Sequence, residues 1–98
     1  MSNNIPDPAF WQRVDAIVDL ANDQINPAHP DDVGASAMYA VARFNAFILA
    51  KTTGSPENMA TEKERALEYF TSQFRLMLES NLDDFTVNFE KYMAPQAQ

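Results

Sequence analysis

An all-α fold is what this sequence predicts, on three observations. Apolar residues recur at three- and four-residue steps in three long stretches, the spacing of amphipathic helices. Proline-bearing turns around Pro27–Pro30 and at Ser55-Pro56 separate those stretches. Only 2 glycines occur in 98 residues, too few for a turn-rich β architecture. The expected form is a compact bundle of three or four helices, over about 8–26, 32–53, 61–80 and 82–93, with the second helix central.

The first helix has a clear start at Asp7-Pro8, a capping carboxylate followed by proline at the first helical position. Phe10, Val14, Ile17, Val18, Ala21 and Ile25 form its stripe, and Asn26-Pro27 ends it. The second begins at Asp31 or Asp32, whose charge suits the positive end of the helix dipole, and stops at Gly54. The third is expected near Thr61, because Thr61-x-x-Glu64 has the form of a capping box. Its stripe is Ala66, Leu67, Phe70, Phe74, Met77 and Leu78. Leu82, Phe85, Phe89 and Tyr92 continue that face, so one long helix is open as a reading. A break at Ser80 or Asn81 is preferred, with Asp83 and Asp84 in a new first turn. The expected layout is a single helical domain at 8–93 between an arm at 1–7 and a tail at 94–98.

The second helix carries the longest apolar tract, ASAMYAVARFNAFILA from Ala35 to Ala50. On a helical wheel Val33, Ala37, Ala40, Phe44, Phe47 and Ile48 make one wide apolar face. Met38, Ala42, Ala46 and Leu49 make a second, nearly opposite, leaving Ser36, Tyr39 and Arg43 on a narrow polar arc. A helix apolar on almost all sides belongs in a core. The second face is either part of an intrachain core or a homodimer surface through Met38, Ala42 and Leu49.

The chain has 14 acidic against 7 basic side chains, a net charge of −7, and such a field repels phosphate backbones and anionic lipid. No nucleic-acid or membrane partner is expected. Arg43 and Asn45 interrupt the one long apolar tract, and the N-terminus lacks the basic and apolar regions of a signal peptide. A soluble cytoplasmic protein is the expectation.

Candidate chemistry is sparse. There is no Cys, and the single His29 has no second histidine for a metal pair and no nucleophile in motif context. No metal site, cofactor or enzymatic activity is expected. Asp15, Asp19 and Asp23 line one face at like-charge spacing, read as a solvated acidic surface. Tyr39 and Arg43, with Asn45, are the candidate ligand or partner contacts, since a guanidinium fork suits an anion. The alternative for Arg43 is a structural ion pair with a carboxylate of the first or third helix. Asn45 lies among apolar neighbours and is expected to bond a loop or helix end. Trp11 and Tyr92 are candidate interface anchors.

Phe10-Trp11, Val14-Asp15 and Leu20-Ala21-Asn22, then Tyr39-Ala40-Val41-Ala42-Arg43-Phe44-Asn45-Ala46-Phe47, then Asn81-Leu82-Asp83-Asp84-Phe85 with Asn88-Phe89, carry a resemblance. Together, over roughly Pro8 to Met93, they resemble a small bacterial all-helical family known only as a domain of unknown function. The resemblance implies a bacterial cytoplasmic protein with a helical fold and no particular activity. The expected function is a non-enzymatic protein–protein interaction module whose partner is another protein or a second copy of itself. The alternative is a small-ligand or anion binder using the Tyr39/Arg43 arc.

Overall fold

Asp7 opens the first helix in the way its position before Pro8 requires. Its backbone is extended, with ψ 170°, and its Oδ1 accepts the Phe10 N–H at 2.9 Å. α1 then spans Pro8–Asp23. It ends three residues before the expected boundary because the Gln24 and Ile25 N–H groups turn to the Ala21 and Asn22 carbonyls, a tightened last turn ahead of Pro27. This is seen in a computed structural model of the chain, which describes residues 7–95. The expected arm and tail fall outside that range, apart from Asp7, Ala94 and Pro95.

The described residues are 87% helical and contain no strand, as the all-α expectation requires. α2 spans Pro30–Thr53 and begins two residues earlier than expected. The reason is His29, whose Nδ1 accepts the Asp31 N–H at 3.0 Å and whose carbonyl accepts from Asp32 and Val33. The imidazole therefore does the work of an N-cap oxygen. Asp31 and Asp32 in the first turn and Lys51 in the last complement the helix dipole. Gly54, with φ 80°, stops the helix in the left-handed region, and Asn58 Nδ2 donates to the Thr53 carbonyl at 2.8 Å.

α3 spans Pro56–Val87, a rod of about 48 Å at 1.5 Å per residue. Two sequence expectations are corrected here. The start is not the Thr61 box but Ser55, whose Oγ accepts the Asn58 N–H at 3.1 Å with Pro56 next in line. Thr61 lies inside the helix and donates its hydroxyl to the Glu57 carbonyl. Nor does the helix break at Ser80 or Asn81. The Asn81 amide donates to the Met77 carbonyl at 2.8 Å, so it is satisfied within the helix rather than capping a new one. The break comes at Asn88, and the short α4, Phe89–Met93, follows.

The helices divide into two units, separated between Thr52 and Thr53. In the first, no Cα of α1 comes within 8 Å of α2. In the second, α4 packs back on α3. Among the described residues Val33 alone is buried.

Candidate functional site

α2 carries Met38, Tyr39, Val41, Phe44, Phe47 and Ile48 as exposed large side chains. Phe44 is 63% exposed on its wide face and Met38 is 60% exposed on the other. Within its own unit α1 reaches neither of these faces, while Leu49, Ala37 and Asn45 are half-buried. α1 adds Trp11, Ile17, Val18 and Leu20, all exposed, with the Trp11 ring edge-on to Phe10 at 4.9 Å. α3 adds a long stripe from Leu67 through Phe74 to Phe85, also exposed.

The expected contact residues separate into two groups. Tyr39 and Arg43 lie one turn apart on the same side of α2, and both are exposed. Asn45, two residues on from Arg43, is rotated about 200° from it on an α-helix, so it cannot join them at one ligand. It belongs instead with Met38, Ala42 and Leu49. The expected ion pair of Arg43 is absent among the described residues, whose ion pair joins Arg65 Nε to Glu62 Oε1 at 3.3 Å. The expected bond from Asn45 to a loop or helix end is also absent there. Its half-buried amide reaches no neighbour because α1 stands off from α2.

Sequence reading missed the extent of the Met38 side. Ala35, Met38, Ala42, Asn45, Leu49 and Thr52 follow strict alternating steps of three and four, all within α2. The Thr52 hydroxyl is turned inward, donating to the Ile48 carbonyl at 2.9 Å. The signal was present in the seven-residue recurrence of Ala35, Ala42 and Leu49.

A second cluster sits at the α3–α4 junction. Asp84 accepts from Tyr92 Oη at 2.8 Å on Oδ2 and from Asn88 Nδ2 at 2.8 Å on Oδ1, and the Phe85 and Tyr92 rings lie 4.6 Å apart. The Tyr92 phenol is held above its ordinary pKa, first by that hydrogen bond, then by desolvation and by the Asp84 charge. Tyr92 is thereby engaged within its own unit rather than standing free as an anchor. A shallow depression of about 310 Å³ beside it is lined by the consecutive residues Thr86 to Lys91, the surface of the helix break itself.

The described residues hold no group of three potential metal ligands. Asp15, Asp19 and Asp23 are exposed on α1. α2, at 24 residues and a mean hydropathy of 1.4 over its best window, is long and apolar enough to cross a bilayer by length and composition alone. The core helix of a soluble protein meets the same criterion. The family model described as "Protein of unknown function (DUF3144)" matches residues 10–86. No curated protein and no solved structure matches the chain.

Proposed function

This chain belongs to the DUF3144 family, and we propose that it is a non-enzymatic protein–protein interaction module of the bacterial cytoplasm that works through the apolar faces of α2. The observation that carries the proposal is the exposure of Met38, Phe44 and Phe47 on a helix that no element of its own unit covers. Helices draw most of their stability from burying an apolar face, so this surface calls for another polypeptide. The absence of Cys and the commitment of the single His29 to a helix cap support a non-enzymatic role. A net charge of −7 favours protein over nucleic acid as the partner.

Photo-crosslinking in the host tests this reading. A photoreactive phenylalanine analogue at position 38 or 47 is expected to give a covalent adduct with a polypeptide. No polypeptide adduct from either position, in a chain that remains helical, overturns the module. A second reading, an anion site, draws on Tyr39 and Arg43 standing exposed one turn apart with no ion pair to Arg43 among the described residues. It expects inorganic phosphate to raise the melting temperature of the native chain and not of an Arg43→Ala variant.

A further inference from the structure

We propose that the corner at Asn88 is a two-state hinge, in which Asp84 holds α4 folded back and its release lets α3 and α4 run on as one helix. Nothing in the local sequence forces the bend. Residues 82–93 contain neither Gly nor Pro, and the next proline is Pro95. Sharp kinks come from proline, from glycine or from a side chain that enters the helical ladder, and only the last is present here. The ladder runs up to the Asn88 N–H on the Asp84 carbonyl at 2.9 Å and resumes with the Tyr92 N–H on the Asn88 carbonyl at 3.0 Å. Asn88 itself, at φ −107° and ψ 28°, lies roughly 45° and 70° from helical values. One residue separates the two forms.

The contacts that hold the bend converge on Asp84 and its neighbour. Tyr92 Oη donates to Oδ2 and Asn88 Nδ2 to Oδ1, both at 2.8 Å. The same Asn88 amide lies 3.3 Å from the Asp84 carbonyl, the place of a side chain that intrudes on the ladder. The Phe85 and Tyr92 rings are 4.6 Å apart. Residues seven apart on a continuous helix stand about 10.5 Å apart along its axis, so that ring contact exists only in the bent form.

The straight form is written in the same residues. Leu78, Leu82, Phe85, Phe89 and Tyr92 fall at alternating steps of four and three, one apolar stripe carried through the break. Folding back cuts that stripe and leaves Val87 81% and Phe89 58% exposed, so apolar burial at these two residues does not hold the corner. Straightening returns Phe89 to the line of Leu82 and Phe85 and completes the ladder across Asn88. A cationic side chain or other donor that takes Asp84 from Tyr92 would therefore lengthen α3 by about 9 Å. The hinge lies wholly within the second unit.

Because the chain has no Cys, spin labels on Glu79→Cys and Met93→Cys, both exposed positions, report the hinge by pulsed electron resonance. A continuous helix sets these positions about 21 Å apart along its axis. The native chain is expected to give a shorter distance, and Asp84→Ala a narrow distribution near 21 Å. Tyr92→Phe keeps the ring contact and the Asn88 amide, and is expected to keep the short distance. Asn88→Ala takes the amide out of the ladder and favours helix at that position, so it is expected to give the long one. It carries the test should Asp84→Ala fail to fold. A short distance in either folded variant overturns the hinge, as does a broad distribution from an α4 that merely melts. A native distance already near 21 Å overturns it as well.

Discussion

Tyr92 donates its phenol to Asp84 Oδ2 at 2.8 Å across eight residues, and this bond ties α4 back onto the end of α3. Asn88, in the turn between them, donates to the other carboxylate oxygen of the same aspartate. One side chain thus collects the end of one helix and the body of the next. A Tyr92→Phe variant keeps the ring against Phe85 and loses only the bond. Amide exchange in 89–93 is expected to accelerate while that of α3 before Asp84 is unchanged.

The same contact predicts an alkaline dependence. The neutral phenol is the form that donates, so the folded pKa lies above the ordinary 10.0. The contribution is fully present below pH 10 and is lost as pH rises through the higher folded value. Spectrophotometric phenolate titration is expected to show a component above 10.0 that disappears in Tyr92→Phe.

Arg43 tests the separation between the polar arc and the Met38 side of α2. It has no ion pair among the described residues and is exposed. Arg43→Ala is expected to change unfolding stability by no more than about 0.5 kcal/mol. Loss of several kcal/mol in chemical denaturation would mean a structural ion pair instead.

Gly54 isolates a backbone effect. Its φ of 80° is in the left-handed region, yet a Cβ there would meet no heavy atom within 4 Å. Gly54→Ala is expected to cost about 1–2 kcal/mol from backbone strain alone, read by denaturant titration. An Asn at this position, which tolerates the same φ, should recover part of that loss.

Much of the fold was legible because its signals are local. Asp7-Pro8 specifies its own cap, Gly54 its own left-handed stop, and apolar residues three and four apart specify a helix wherever they recur. The candidate site was legible in part: the Met38–Ala42–Leu49 side was visible on the wheel, but Asn45 was grouped with Arg43 although the helix turns it away. The missed boundaries lie where two local signals compete. Thr61 and Asn81 each resemble a cap in sequence, yet each donates to a carbonyl four residues back and stays inside α3. His29, which the sequence places in the Pro27–Pro30 turn, starts α2 through the lone pair of its Nδ1.

The sequence by itself determined the helical class, the turns and which residues share a helix face, because those depend on neighbours within a few positions. Tertiary structure alone decided that Tyr92 reaches back to Asp84 and so joins α4 to α3, and that α1 stands off from α2. Those outcomes depend on which distant group reaches a polar atom or an apolar face first, and no periodicity within one helix records that.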